Sequence, residues 1–358
     1  MLDLQRALGL SAPVIQAPMA GVQDHRLAVA VSEAGALGSL PAAMLSAPEL
    51  EQQLRAFCAL SARPLNVNFF CHTPPTPDPA REAAWRAALA PYHQEFGVTT
   101  GPPSGPGRQP FSSEMADVLE AFRPAVVSFH FGLPSPELLA RVRSWGSLVF
   151  SSATTVEEAL WLEARGVDAV IAQGLEAGGH RGMFLGDDLT TQLGTFALLP
   201  QLARAVDVPV VAAGGIVDAR TVAAARALGA SAIQAGTAFL CSDEATTGAL
   251  HRAALRSPAA RHTAITNLFS GRPARGIVNR VMRELGPMSD RVPAFPLATA
   301  ALAPLRAAAE ALGRDDFTPL WCGQNAQDLR GAPAAEVVRD LADAWQTTER
   351  AASPCQPG

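Results

Sequence analysis

Eight short apolar runs, each followed by a helical pattern, constrain the fold of this chain more than any other feature. Several of the helical patterns end in a glycine, as at Gly35, Gly166 and Gly229, and glycine commonly takes the left-handed conformation just past a helix. Strands that alternate with helices of about 10–15 residues indicate a parallel sheet. Eight such units fit an α/β fold of the closed (β/α)8 TIM-barrel type better than an open sheet. The predicted strands are Val14–Gln16, Ala36–Leu40, Leu65–Phe70, Val126–Phe131, Ser147–Ser151, Ala169–Gln173, Val210–Ala213 and Ala232–Gln234.

Two stretches interrupt this alternation and suggest additions to the barrel. Residues 72–114 are rich in proline and glycine around one short predicted helix, Glu82–Ala90, and a loop of this length is typical of a lid. Residues 243–320 are predicted to be mostly helical. We therefore expect a barrel over residues 1–242 with a lid insertion at 72–114, a smaller helical domain over the barrel mouth at 243–320, and a segment at 321–358 that returns to the barrel.

Composition excludes several classes of chemistry. All 28 basic residues are arginine, so no lysine can form a Schiff base with a substrate or serve a P-loop. The net charge of −5 gives no electrostatic footprint for nucleic acid. Five scattered cysteines, with no metal-binding spacing, fit a reducing compartment. Without a signal peptide or an apolar run near the roughly 18 residues of a membrane span, we expect a cytoplasmic protein with no membrane partner.

The last two strand ends predict a phosphate site. Ala213-Gly214-Gly215 follows the seventh strand, and Gln234-Ala235-Gly236-Thr237 follows the eighth. Phosphates in such barrels often bind after these two strands, on backbone N–H groups. Gly215 and Gly236 would let the backbone approach closely, and the Thr237 hydroxyl could donate. The alternative is that these glycines only make tight turns.

The sixth strand end carries the best candidate for a catalytic group. His180 lies in Glu176-Ala177-Gly178-Gly179-His180-Arg181-Gly182, and imidazole is well suited to proton transfer near neutral pH. Arg181 could bind an anionic substrate or form an outward salt bridge. His130, between two phenylalanines, is interpreted as core or pocket wall. The other histidines are expected in solvent, although His72 opens the lid and could face the pocket.

Two amide side chains at strand ends suggest what the mouth binds. Asn68 and Gln173 could hydrogen-bond neighbouring backbone, or they could recognise a flat heterocycle with alternating donors and acceptors. Together with a phosphate site on the same mouth, the second reading describes flavin mononucleotide (FMN).

The sequence resembles the nitronate monooxygenases, formerly called 2-nitropropane dioxygenases, and in particular their bacterial class I. The resemblance covers nearly the whole chain and implies an FMN-dependent (β/α)8 barrel. It implies FMN contacts at Asn68, Gln173, Gly178, Gly179, Gly215, Gln234, Ala235, Gly236 and Thr237, a loop beside the ring at Pro18, Met19 and Gly21, and a catalytic His180. The matching segments are Gln16–Gly21, Pro64–Asn68, Gln173–Gly182, Ala213–Gly215, Gln234–Thr237, Ser270–Glu284 and Pro319–Gln324.

Three departures from the family pattern bear on the substrate. Gln23-Asp24-His25 replaces the usual Ser-Thr-Pro, and Tyr92 is the only tyrosine, whereas relatives line the substrate pocket with several. No lysine is available for a substrate carboxylate, so Arg181, Arg272 or Arg275 would have to serve.

The resemblance implies a monooxygenase that oxidises alkyl nitronates with O2 to a carbonyl product and nitrite, through a flavin semiquinone. Propionate 3-nitronate is the leading substrate, and a monomer or homodimer is expected. Three alternatives stay open: an NAD(P)H-dependent enoyl-thioester reductase of the same flavin superfamily, a flavin-free phosphosugar isomerase or synthase, and a flavin-binding protein without turnover.

Overall fold

The computed structural model describes residues 2–99, 107–327 and 329–352. Within them, eleven strands follow one another along the chain, and eight of these form one all-parallel sheet. The strands are β1 (Val14–Gln16), β2 (Gly38–Pro41), β3 (Leu65–Phe70), β4 (Val126–His130), β5 (Leu148–Ala153), β6 (Ala169–Gln173), β7 (Gly179–His180), β8 (Val210–Ala213), β9 (Ala232–Ala235), β10 (Thr263–Thr266) and β11 (Ala274–Ile277).

The eight parallel strands close into a barrel, which confirms the predicted fold. Their order is β1-β9-β8-β6-β5-β4-β3-β2, so each strand lies beside its neighbour along the chain. At the seam, the Leu37 N–H donates to Val14 O at 2.9 Å, and the Gln16 N–H donates to Leu37 O at 3.0 Å. The barrel strands agree with the sequence prediction to within two residues at either end.

Thirteen α-helices and three short 3₁₀ turns lie in the described residues. Most of the helices surround the barrel, and α13 packs beside α9 and α2. The helices are α1 (Leu4–Ala7), α2 (His25–Glu33), α3 (Ala47–Leu60), α4 (Pro79–Phe96), α5 (Ser113–Phe122), α6 (Pro136–Ser144), α7 (Val156–Glu163), α8 (Thr195–Ala205), α9 (Ala219–Ala227), α10 (Ala249–Leu255), α11 (Arg280–Leu285), α12 (Thr299–Ala311) and α13 (Ala334–Ala352), and the 3₁₀ turns are Leu189–Thr191, Thr237–Phe239 and Pro258–Arg261.

A second, antiparallel sheet joins the barrel to the region after it. β11 pairs with β10 on one side and with β7 on the other, with Ala274 opposite His180. The expectation that residues 243–320 are mostly helical is therefore incomplete. β10 and β11 have four residues each and β7 has two, which is too short for an alternating pattern to show in the sequence.

The helical region has its own apolar core, and part of the predicted lid belongs to it. Trp85 and Leu89 of α4 are buried against Leu302 and Leu305 of α12. The short helix expected at Glu82–Ala90 is in fact α4, 18 residues long. It begins at an Asp78 cap and ends at Gly97, whose φ of 62° is left-handed. Of the lid segment, residues 100–106 lie outside the described residues. That the lid moves, and that the domains divide as expected, stay predictions.

The described helices include none that is both long enough and apolar enough to cross a membrane.

Candidate active site

A cleft opens at the carboxyl ends of the barrel strands, where the sequence predicts the site. It contains about 1370 Å³ of space free of protein atoms, counted out to its open mouth. Eleven of the thirteen predicted site residues line it: Pro18, Met19, Asn68, Gln173, Gly178, Gly179, His180, Gly215, Gln234, Gly236 and Thr237. The other two lie outside the lining. Gly21 is exposed in the loop after β1, and Ala235 is buried and pairs with Gln16 in the barrel sheet.

Gln23 holds the loop after β1 against the barrel. Its Oε1 accepts from the Met19 N–H at 2.8 Å and from Gln16 Nε2 at 2.7 Å, and its Nε2 donates to Ser39 O at 2.6 Å. The loop that carries Pro18 and Met19 into the cleft is therefore tied to both β1 and β2. This network gives Gln23, the first residue of the unusual Gln23-Asp24-His25 segment, a structural role.

The loops after β8 and β9 form a cradle of backbone. Gly214 and Gly215 have positive φ values of 122° and 72°, which favour glycine. A Cβ at Gly214 would lie 2.8 Å from Thr195 Oγ1. Among the described residues, no protein acceptor takes the N–H of Gly215 or Gly236. The Gln234 Oε1 at the same edge is buried without a hydrogen-bond partner there. Free donors and an unpaired acceptor together fit a phosphate and the edge of a polar heterocycle.

The two predicted amide side chains differ in which hydrogen-bonding atoms they leave without a protein partner. Asn68 Nδ2 donates to Ser128 Oγ at 2.9 Å and to Ser128 O at 3.2 Å, and no described residue donates to its Oδ1. Gln173 instead binds the loop around His180, because its Nε2 donates to His180 O at 2.9 Å and its Oε1 accepts from the Gly182 N–H at 2.7 Å. Gln173 therefore positions His180, whatever else it contacts.

His180 is the best-placed proton acceptor in the cleft. Its Nε2 lies 2.8 Å from Ser270 Oγ, and this hydroxyl is within 3.4 Å of Arg272 O. If Ser270 donates to that carbonyl, it accepts from Nε2–H, which leaves Nδ1 as the unprotonated nitrogen. Burial, followed by the charges of Arg108 and other neighbours, holds the pKa of His180 well below its usual range. The ring is therefore a neutral base at neutral pH.

His130, the last residue of β4, supports His180. Its Nε2 lies 3.1 Å from His180 O, and its Nδ1 lies 3.0 Å from Ser152 Oγ. A carbonyl oxygen can only accept, so Nε2 carries the proton and donates to His180. Burial lowers the pKa of His130 to about 3. His130 is part of the cleft wall, as expected, and it stays neutral.

Aromatic rings surround His180. The ring centroids of Phe70, Phe131, Phe295 and Trp321 lie 5.9, 6.1, 5.4 and 5.6 Å from that of the imidazole. The single tyrosine, Tyr92, lies elsewhere, edge-to-face with Phe317 in the core of the helical region. The wall around the candidate base is thus made of phenylalanine and tryptophan, which exclude water without offering hydroxyl groups.

None of the three arginines proposed for an anionic substrate lines the cleft. Both expectations for Arg181 are wrong. It is fully buried, and it donates to Gly174 O at 2.7 Å, Gln173 O at 2.8 Å and Gln192 Oε1 at 3.1 Å. Arg275 is also buried, and it donates to Leu175 O at 2.8 Å. Arg272 lies over the Phe131 ring, 4.0 Å from its centroid, and donates to Met183 O. All three hold loops in place.

Several cleft residues carry no signal that the sequence analysis could use. They are Arg108, His251 and Asn325. His251, expected in solvent, is buried, and its Nε2 lies 3.1 Å from Trp321 O. Asn325 donates to Gly215 O at 3.0 Å. Arg108 sits in a proline- and glycine-rich stretch with no periodic pattern, and the others reach the mouth from segments distant in sequence.

Comparisons with known proteins point to one family. A family model described as "Nitronate monooxygenase" matches residues 3–343. A "Nitronate monooxygenase" of Paraburkholderia phytofirmans is 44% identical over 341 residues, which cover 93% of this chain and 92% of that protein. Another from Pseudomonas aeruginosa is 44% identical over 344 residues, which cover 94% and 97%. Crystal structures of a nitroalkane oxidase from Streptomyces ansochromogenes superpose with a TM-score of 0.89 at 41% identity, covering 98% of this chain and all of that one.

Proposed function

The chain belongs to the nitronate monooxygenase family, a family of flavin-dependent oxidoreductases, and we propose that it binds FMN in the cleft and oxidises alkyl nitronates with O2. Two nitronates and one O2 yield two carbonyl compounds and two nitrite ions, with atoms and charge in balance. Propionate 3-nitronate is the leading candidate substrate. The observation that carries the proposal is a single mouth with two halves: a polar backbone cradle at β8 and β9, and a neutral histidine enclosed by aromatic rings.

The residues of the cradle fit FMN. The free N–H groups of Gly215 and Gly236 suit its phosphate, and the unpaired Oε1 of Gln234 suits a ring N–H. Asn68 would offer its free Oδ1 from the opposite wall. Bound there, FMN would supply the ring that takes electrons from the nitronate and passes them to O2.

The side chains around His180 determine what happens to the substrate. Phe70, Phe295 and Trp321 remove water from the reacting group, which strengthens every electrostatic interaction in the site. A neutral nitroalkane must lose its α-proton before it can react as a nitronate, and His180 Nδ1 would accept that proton. A pre-formed nitronate needs no base. His180 therefore extends the substrate range from nitronates to the nitroalkanes from which they derive.

The direct test begins with the purified protein. We expect a flavin absorbance spectrum, with FMN identified by chromatography after heat release. Anaerobic mixing with ethylnitronate should change the flavin absorbance spectrum to that of a partly reduced flavin, and readmission of air should yield acetaldehyde and nitrite. Protein that contains no flavin and takes up no added FMN would refute the proposal and favour a flavin-free isomerase.

A second arm separates the monooxygenase from the NAD(P)H-dependent enoyl-thioester reductase. Rossmann-type dinucleotide sites use a GxGxxG run, and the sequence has none. We expect NADH and NADPH to reduce the flavin far more slowly than ethylnitronate does. Full bleaching within seconds by either nucleotide would overturn the assignment.

A further inference from the structure

Arg108 lies on the side of the cleft opposite the phosphate cradle. The segment that carries it runs along the end of β3, where the Phe111 N–H donates to Phe70 O at 2.8 Å. In the ring of eight strands, β3 is four places from β8. Arg108 is therefore across the barrel mouth from Gly215, and the FMN phosphate does not account for it.

The Arg108 guanidinium has few partners for a group in its position. Its Nη1 donates to Thr299 Oγ1 at 3.1 Å, and its carbon lies 5.9 Å from the centroid of the Phe295 ring. No described carboxylate pairs with it, and the residues that line the cleft include no Asp or Glu. Arg181 shows the contrast, because its donors are taken up by protein acceptors.

An arginine that lacks a carboxylate partner in the protein is suited to binding an anion. Burial lowers the pKa of Arg108, yet a guanidinium remains charged in proteins. A partly desolvated charge is costly unless it is paired, and a carboxylate matches the guanidinium fork with two parallel hydrogen bonds. Among the described residues, Arg108 is the only arginine that lines the cleft.

Phe295 links this cation to the candidate base. The same ring that faces Arg108 lies 5.4 Å from His180, centroid to centroid. A small substrate whose reacting carbon is beside His180 can therefore place a group at its far end against Arg108.

We propose that Arg108 is the specificity-determining residue of the site and binds a carboxylate at the far end of the nitronate substrate. This inference rests on the proposed function, and it names the residue that would distinguish nitronates of short carboxylic acids from simple alkyl nitronates. The nitronate group itself stays beside His180, and the carboxylate forms the ion pair that the protein does not supply.

Two matched substrates test the assignment. Propionate 3-nitronate carries a carboxylate where propyl-1-nitronate carries a methyl group. In Arg108→Gln, we expect kcat/KM for propionate 3-nitronate to fall by roughly 10- to 150-fold, mainly through KM, as for loss of a hydrogen bond to a charged group. For propyl-1-nitronate we expect a change of less than about two-fold. Arg108→Lys, which keeps the charge, should restore part of the loss.

The control is Arg291→Gln, which removes the same charge from an exposed position in the helical region and should leave both substrates unaffected. Flavin content and thermal unfolding of each variant check the fold. Equal losses on both substrates, or no loss on either, would overturn the assignment of Arg108.

Equilibrium binding keeps the inference separate from the proposed function. Succinate and its diamide, succinamide, have the same length, but only succinate carries carboxylates. Calorimetry should show that Arg108→Gln weakens succinate binding by at least about ten-fold and changes succinamide binding little. If the wild-type protein oxidises neither nitronate, the proposed function fails. In that case unchanged succinate affinity in Arg108→Gln overturns the inference, and weakened affinity supports it.

Discussion

Ser270 should control how well His180 removes a proton, and Ser270→Ala tests this. Ser270 is buried, with a relative exposure of 1%, and its Oγ is 2.8 Å from His180 Nε2. The variant leaves that nitrogen without its partner. The imidazole is then free to rotate or to carry its proton on Nδ1, and in either state it cannot accept a proton from the substrate.

The size of the effect follows from the contact. A neutral hydrogen bond contributes about 0.5–1.5 kcal/mol net, which corresponds to an about 2- to 13-fold loss of the productive state. We therefore expect kcat/KM for nitroethane to fall about 2- to 13-fold in Ser270→Ala. Removing the base itself in His180→Asn should cost about 10²–10⁴-fold. Ethylnitronate, which has no proton to lose, should be affected little by either change.

The assay is the initial rate of O2 consumption with nitroethane and with ethylnitronate, each in protonated and α-deuterated form. In Ser270→Ala the deuterium isotope effect on kcat/KM for nitroethane should rise, because proton transfer limits the rate more strongly. Ser144→Ala, at an exposed helix end, is the matched control. Equal losses on the two substrates, with an unchanged isotope effect, would show that Ser270 supports the fold and does not orient the base.

Two further predictions concern the same loop. Because the pKa of His180 lies well below the ordinary 6.5, the base form persists as pH falls, so kcat/KM for nitroethane should stay level from pH 7 to below 6.5. A pH profile that declines at or above 6.5 would contradict the buried, positively surrounded position of His180. Gln173→Leu removes the acceptor of the buried Gly182 N–H, so it should lower the free energy of unfolding by about 1–3 kcal/mol, measured by urea denaturation. The exposed substitution Gln52→Leu should change it little, and a similar loss in both variants would argue against a role for the amide.

The barrel could be predicted because its signals are local. Each strand is a run of three to six apolar residues next to its own helix, and glycines such as Gly35 and Gly229 mark where helices end. The cofactor half of the mouth shares this property. Gly215 and Gly236 come just after strands and Gln234 lies near the end of β9. The topology of a closed parallel barrel brings all these strand ends to one face. The predicted strands were therefore sufficient to predict that these residues lie close together.

The position of His180 depended on contacts that the sequence does not display. Its two-residue strand exists because β11, more than ninety residues later, pairs with it. Its hydrogen-bond partner Ser270 comes from the same distant region. Arg181 illustrates the opposite error. Next to the candidate base it suggests an anion site, yet the chain turns it inward, where backbone carbonyls from Gln173 and Gly174 satisfy it.

Several side chains of the substrate half come from segments outside the strand–helix alternation. Arg108 comes from the long insertion after β3, Phe295 from the loop before α12, and Trp321 from the segment before α13. Side chains in such segments can change without altering the barrel ladder or the backbone cradle, because neither depends on them. A pocket without tyrosine or lysine is therefore compatible with an intact cofactor half. In this chain, phenylalanines surround the candidate base, and an arginine lies across the barrel mouth from the phosphate cradle. Compared with relatives that line the pocket with tyrosines, this chain should therefore differ in how it recognises the far end of the substrate. The reacting group should still lie beside His180.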